Sequence, residues 1–294
     1  MRDFAERVAV ITGAAGGFGR EFAREAARLG MRLALADVDR AALHALVDEL
    51  RAAGATAFAE EVDVAQDAEV ARLAARTWAE YGAAHLLFNN AGVGCGGLVW
   101  ENGPADWQWV LGVNLMGVAH GVRHFVPRML AAETGGAPAH IVNTASMAGW
   151  VCPPLMGVYT VSKHAVVALS ETLHHDLRLA GSRIGVTCLC PAFVPTGIAD
   201  SERHRPPQAA PPTPTASMRL AQTQLARAVA AGRLSAAEVA QQTFAAIREQ
   251  RFYVFTHPQA LPSVRERVRA ALDGEAPADP LAGRPQPGSD TGDR

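Results

Sequence analysis

Lysine is nearly absent from this chain of 294 residues: Lys163 stands alone, and every other basic side chain is arginine. A sequence that uses lysine once and arginine elsewhere points to a position needing a compact ammonium, not a guanidinium fork. Dense basic runs are also missing, and the formal net charge is −2. Both argue against a nucleic-acid partner, which would need a basic face. No apolar run is long enough, or free enough of Gly, Arg and Asp, to cross a bilayer. The start, Met1-Arg2-Asp3-Phe4-Ala5-Glu6-Arg7, carries both signs of charge and is unlike a signal peptide. A cytoplasmic protein with no membrane partner is the expectation. Cysteines number four. No Cys/His set has zinc-ligand spacing, so no metal site is expected and the thiols read as reduced and structural.

What is present is apolar and alternating. At 49% hydrophobic and 19% charged, the chain can build a substantial core. Strand-like runs at Arg7–Thr12, Met31–Ala36, Thr56–Val62, His85–Phe88, His140–Ala145, Ile184–Cys190 and Arg251–Phe255 are separated by helical stretches. These helices are read at Arg20–Leu29, Ala41–Ala53, Ala68–Tyr81, Trp107–Met129, Val158–Leu179, Met218–Ala231, Ala236–Gln250 and Leu261–Leu272. Such alternation implies an α/β fold: a Rossmann-type, doubly wound parallel sheet with helices on both faces, in a single domain over about 1–273. Ligands of such sheets sit outside the carboxyl ends of the strands. Residues 197–217, with five prolines between Pro206 and Pro214, should not be forced into regular structure. The segment 197–232 reads as a linker or a cover over that edge, and 274–294 as a disordered tail.

Three features carry chemistry. The first strand runs into Gly13-Ala14-Ala15-Gly16-Gly17-Phe18-Gly19 and then a helix, the context in which a glycine-rich turn binds a pyrophosphate. Asp37 ends the second strand, eighteen residues after Gly19. An acid there accepts ribose hydroxyls and repels a 2′-phosphate, which favours NAD over NADP; Asp37 or Asp39 could instead cap the next helix. Third, Tyr159 and Lys163 lie one helical turn apart. The ammonium would favour the phenolate and lower the Tyr pKa towards the working pH, equipping the phenol for proton transfer. Asn114, inside an otherwise apolar helix, and Ser146, at a strand end thirteen residues before Tyr159, join this set.

Together these residues resemble the classical short-chain dehydrogenases/reductases, from about Arg7 to Thr196 with a looser tail to Leu272. Thr12-Gly13-x-x-x-Gly17-x-Gly19 is similar to that family's cofactor turn, and Asn89-Asn90-Ala91-Gly92 to the motif that steadies its sheet. The resemblance implies a catalytic tetrad of Asn114, Ser146, Tyr159 and Lys163. Tyr159 would be the general acid/base, Ser146 would orient the substrate oxygen, Lys163 would hold the nicotinamide ribose, and Asn114 would anchor a relay water. It implies cofactor contacts at Gly13, Gly17, Phe18, Gly19, Asp37, Asp63, Val64, Asn90, Ala91, Gly92, Tyr159, Lys163, Pro191, Val194 and Thr196. The family usually has Gly where this chain has Ala192, a departure that bears on the nicotinamide side.

The residues flanking the tetrad suggest an apolar substrate pocket at Cys95, Met147, Trp150, Cys152, Met156 and Phe193, with Val93, Val151 and Pro153 nearby. The expectation is an NAD-dependent oxidoreductase that interconverts a hydrophobic, even aromatic, secondary alcohol and its ketone, a small-molecule substrate. Two alternatives stand: an NADPH-dependent biosynthetic ketoreductase, and a non-catalytic NAD-binding sensor. The resemblance also implies a homo-oligomer, a dimer or tetramer, built through Trp107–Met129 and Val158–Leu179.

Overall fold

The computed structural model describes residues 1, 3–133, 139–206 and 213–280. Seven parallel strands run in the order β3-β2-β1-β4-β5-β6-β7. They are β1 (Val8–Thr12), β2 (Arg32–Asp37), β3 (Ala57–Glu61), β4 (Leu86–Asn89), β5 (His140–Thr144), β6 (Gly185–Cys190) and β7 (Tyr253–Phe255). The helices are α1 (Gly17–Arg28), α2 (Arg40–Ala52), α3 (Asp67–Tyr81), α4 (Pro104–Leu111), α5 (Gly117–Glu133), α6 (Gly157–Leu179), α7 (Ala216–Ala230), α8 (Ala236–Glu249) and α9 (Leu261–Leu272). The strand order reverses between β1 and β4, which opens a crevice at their carboxyl ends.

Both faces of the sheet are buried because alternate side chains on each strand feed opposite cores. Ala9 and Ile11, Leu33 and Leu35, Leu86 and Phe88 enter one core, which includes residues of α1, α2 and α8. Val10, Ala34, Ala36, Leu87 and Ile141 enter the other, under α3, α5 and α6. Phe22, Phe88 and Phe244 form the aromatic centre of the first core, with ring centroids 4.6 and 5.6 Å from that of Phe88.

The structure differs from the expected elements in four places. Helix α1 begins at Gly17, not Arg20, because the glycine turn itself supplies its first turn. The stretch read as one helix from Trp107 to Met129 starts at Pro104 and passes through a π-helical turn at Gly112–Met116 that holds Asn114. Residues Gly197–His204, expected to lack regular structure, form two 3-10 turns that meet at a kink at Asp200, and α7 follows from Ala216. Of the prolines between them, Pro207, Pro211 and Pro212 lie outside the described residues, as does the tail from 281. Residues 274–280 carry no regular structure, but Glu275 pairs with Arg269 at 2.6 Å.

Candidate active site

The turn after β1 shows why its residues are small. Gly13 has φ +64°, and a Cβ there would lie 2.7 Å from the Cα of Ala91. A Cβ on Gly19 would reach the Gly13 carbonyl oxygen at 1.9 Å, so Gly19 sits behind the turn as its close contact with α1. Gly16 faces open space, and α1 has neither a side-chain cap nor an acid in its first turn. The Ala14 and Ala15 amides are committed to the Ala36 carbonyl and Asp37, and the uncapped first turn of α1 presents its backbone N–H groups at a positive dipole end, suited to a phosphate.

Asn90 binds this turn to the sheet. Its Nδ2 donates to the carbonyls of Thr12 and Gly13 at 3.0 and 3.3 Å, and its Oδ1 accepts from the Thr144 hydroxyl at 3.2 Å. The Thr12 hydroxyl donates to the Phe88 carbonyl and accepts from the Asn90 amide at 2.9 Å. The sequence offered Asp37 and Asp39 as rival caps, and the two divide the work. Asp39 caps α2 by accepting from the Ala42 amide at 3.0 Å. Asp37 accepts from the amides of Ala15 at 2.8 Å and Asp39 at 2.9 Å, which ties the end of β2 to the glycine turn.

One cavity of about 650 Å³ collects the ends of these strands. Gly13, Gly17, Phe18, Asp37, Asp63 and Val64 line its β1–β3 side, and Asn90, Ala91, Gly92, Pro191, Val194 and Thr196 its middle. Ser146, Tyr159 and Lys163 line the same space, Ser146 from the end of β5 and the others from one face of α6. Asn114 sits behind the wall and is fully buried. Its Oδ1 accepts from the Val93 amide at 2.8 Å, and its Nδ2 donates to the Val93 carbonyl and the Ser162 hydroxyl, each at 3.0 Å. The π turn makes this possible by turning a short amide inward at a depth a regular helix would give to an apolar side chain. A Cβ on Gly92 would meet both Asn114 Oδ1 and Lys163 Nζ, at 3.5 and 3.6 Å.

The electrostatics depart from the simplest expectation. Lys163 Nζ donates to the Thr144 carbonyl at 2.8 Å and lies 5.7 Å from the centre of the Tyr159 ring. Burial disfavours its charged form and lowers its pKa to about 8. The Tyr159 phenol is not held low: burial raises its pKa, and only the hydrogen bond with Ser146 acts in the opposite sense. Desolvation sets the direction of the Tyr159 shift in this arrangement. Ala192 causes no strain, since it is not among the residues with positive φ, and its amide donates to His257 Nδ1 at 3.3 Å.

The expected substrate side divides. Met147, Met156 and Phe193 line the cavity, with Val93, Val151 and Pro153. Trp150 does not: its ring packs edge-on against Tyr253 and Phe255, and its indole N–H donates to Cys190 Sγ at 3.3 Å. Cys152 is exposed, with His164 Nε2 3.9 Å from its Sγ. Cys95 is buried outside the cavity lining, where Asn102 Nδ2 and Arg205 Nη2 donate to its sulfur at 3.8 Å, and burial pushes its thiol up to about 11. In all three cases an apolar neighbour in sequence was turned by the backbone towards the core or solvent.

Sequence reasoning missed the cover's own contribution. Ile198, Ser201, Arg203, His204, Leu225 and Val229 line the cavity opposite the sheet, with Gln108 and Trp109 of α4. The Ser201 hydroxyl accepts from the Gly94 amide at 3.0 Å. Arg205, its side chain only 4% exposed, pairs with Asp106 at 2.7 Å and stacks over Trp109 at 4.2 Å. Ser217 accepts from the Leu98 amide at 2.9 Å and donates to Glu101 at 2.5 Å. No sequence signal marks these partners, which lie about a hundred positions apart in the chain.

Among the described residues no helix is long and apolar enough to cross a membrane, and no group of three or more His, Cys, Asp or Glu could hold a metal. Residues 7–207 match the short chain dehydrogenase family. The CLA biosynthesis dehydrogenase/reductase of Lactiplantibacillus plantarum is 35% identical over 280 residues, spanning 94% of this chain and 97% of that one. A C alpha-dehydrogenase of a Sphingobium species is 38% identical over 207 residues, 70% of this chain and 66% of that one. A short chain dehydrogenase/reductase from Burkholderia phymatum, solved in complex with NAD, superposes with a TM-score of 0.93 at 55% identity, over 96% of this chain and all of that one. With the family's match covering most of the chain and the glycine turn, Ser146, Tyr159 and Lys163 meeting in one cavity, the protein belongs to the short-chain dehydrogenases.

Proposed function

We propose that this protein is an NAD-dependent dehydrogenase that interconverts a hydrophobic secondary alcohol and its ketone, with Tyr159 as the general acid/base. The observation that carries the reading is the placement of Ser146, Tyr159 and Lys163 on the wall of the cavity that also holds the glycine turn and Asp37. A dinucleotide suits that cavity: the uncapped N–H groups at the start of α1 would hold its pyrophosphate, and the Asp37 carboxylate would accept ribose hydroxyls. The same carboxylate repels a 2′-phosphate, which supports NAD over NADP; the NAD complex of the Burkholderia phymatum relative points the same way.

Bound NAD supplies the hydride chemistry. The residues of this chain bind, orient and move the proton. Ser146, fixed by the Ala148 amide at 3.1 Å, is placed to hydrogen-bond the substrate oxygen and to favour the Tyr159 phenolate. Tyr159 exchanges the hydroxyl proton. Lys163, with a pKa near 8, can lose or regain its own proton close to neutral pH, and Asn114 supports the wall behind it. Met147, Met156 and Phe193 form the apolar side against which the body of the alcohol packs. Exposed Met116 and Val161, next to α5 and on α6, support self-association through those helices; a monomer by light scattering would remove that part of the reading.

A panel of hydrophobic secondary alcohols against small polar polyols, followed by absorbance of reduced cofactor, tests the whole proposal. Turnover confined to the polyols would sink the substrate class. Tyr159→Phe should lose about 10²–10⁴-fold in kcat while NADH still binds, and retained turnover would remove Tyr159 from its role.

A further inference from the structure

The three carboxylates that line the cavity, Asp37, Asp39 and Asp63, gather on its β2–β3 side. Its cationic side chains among the described residues, His204 apart, are Lys163 and Arg203. A dinucleotide brings two negative charges on its pyrophosphate, and the glycine turn answers them with backbone N–H groups alone. Arg20, the basic residue nearest that turn in sequence, has both Nε and Nη2 committed to the Ala15 carbonyl, at 3.1 and 2.6 Å. Lys163 is committed to the Thr144 carbonyl behind Gly92.

Arg203 is placed differently. Its Nη1 donates to the carbonyls of Gly197 at 3.3 Å and Asp200 at 3.1 Å, and among the described residues no carboxylate pairs with it. Its guanidinium lies close to Gly197, with Nη2 3.0 Å and Nη1 3.4 Å from where a Cβ would stand. Gly197 follows Thr196, and the Thr196 Cβ lies 3.3 Å from the Cβ position of Gly17 in the glycine turn. The cation thus lies against the residue that follows Thr196, whose side chain meets the turn. Anchors lie on either side of it in the chain: Ser201 holds the Gly94 amide, and Arg205 is buried on Asp106 and Trp109.

We propose that Arg203 holds the cofactor pyrophosphate from the cover side, so that the cover closes on the dinucleotide as well as on the substrate. A guanidinium suits this task, since its planar fork can donate two parallel bonds to phosphate oxygens. The proposal rests on the NAD reading above.

The test compares wild type, Arg203→Lys, Arg203→Gln and Arg203→Ala. NADH is titrated by fluorescence, and ADP-ribose and adenosine are measured by competition against it. Arg203→Ala should weaken NADH and ADP-ribose about tenfold, the loss of one charge-assisted contact, while adenosine is unchanged. Arg203→Lys should fall between, and Arg203→Gln should follow Ala while keeping the side-chain stem. Added salt should weaken ADP-ribose binding more in wild type than in Arg203→Ala. ADP-ribose affinity equal to wild type in Arg203→Ala overturns the proposal. That includes the case in which only the KM of a carboxylate-bearing alcohol rises, which would give Arg203 to the substrate. Wild type that binds neither NADH nor ADP-ribose would overturn the cofactor reading itself, and this proposal with it.

Discussion

On the β1–β4 side of the cavity, each site residue stands at a strand end or in the turn that follows it. Across the space, residues 197–206 and 213–230 are held by Arg205 on Asp106, Ser201 on Gly94 and Ser217 between Leu98 and Glu101. The first side is positioned by two cores and a ladder of parallel strands, so its geometry is set wherever the sheet is folded. The second depends on a few polar contacts made over long chain separations. Such a segment can open while the sheet stays intact, the usual property of elements that must admit a ligand.

The comparison breaks most visibly at Gly19. A Cβ placed 1.9 Å from the Gly13 carbonyl must drive α1 away from the turn, because the obstructing atom is backbone. Gly19→Ala should cost about 1–3 kcal/mol in stability as overpacking. If the upper part of that cost falls on the bound state, NADH affinity drops on the order of a hundredfold. Thermal unfolding and NADH titration check both, and binding equal to wild type would mean the turn is not held by this contact.

Arg205→Met probes the other side. Removing the guanidinium leaves the Asp106 carboxylate buried without its partner, a loss of about 3–5 kcal/mol for such pairs. If the cover is a separate unit, this loss appears as faster proteolysis within 197–206 and a higher KM, with little change in Tm. A fall in Tm as large as that of Gly19→Ala would show that cover and sheet unfold together.

Acid distinguishes the two sides next. His140, fully buried at the start of β5, has its pKa lowered by burial to about 3, and His85, just before β4, to about 4. Both values lie below the unfolded imidazole near 6.5, so the unfolded chain binds more protons between these limits. The sheet's stability is therefore complete above about pH 6.5 and is lost as pH falls towards 4 and then 3. Near pH 5 unfolding should take up about two protons from this pair, a slope of about 2.7 kcal/mol per pH unit. Urea unfolding at a series of pH values measures it, and a flat profile from 6.5 to 4.5 would mean these imidazoles are not buried neutral.

The same contrast explains what could be read from the sequence. Strand alternation, the glycine turn, Asp37 and the Tyr159–Lys163 pair are short-range patterns, and each is fixed by periodicity or by a steric demand within a few residues. The π turn at Asn114 was not legible because one inserted residue in a helix leaves the hydrophobic pattern nearly unchanged. The latch of Arg205 was hidden because Asp106 is ninety-nine positions away and looks like an ordinary first-turn acid of α4. The direction of the Tyr159 shift is not legible for a related reason: spacing shows that an ammonium is near, but not how much protein surrounds the phenol.

Trp150 gives the smallest effect and the finest test of where the pocket wall ends. A large aromatic ring four residues after Ser146 looks like a substrate contact, yet it leans on Tyr253 and Phe255 of β7. Trp150→Phe should cost about 1 kcal/mol through the lost N–H···S bond to Cys190 and leave the KM of a bulky alcohol unchanged. Met156→Ala removes a side chain that does line the cavity and should raise that KM about tenfold. If the two variants exchanged effects, the wall would run on the β7 side of α6 instead. The pair therefore measures which face of one short loop meets the substrate, a question that hydrophobicity along the chain leaves open because both side chains satisfy it equally.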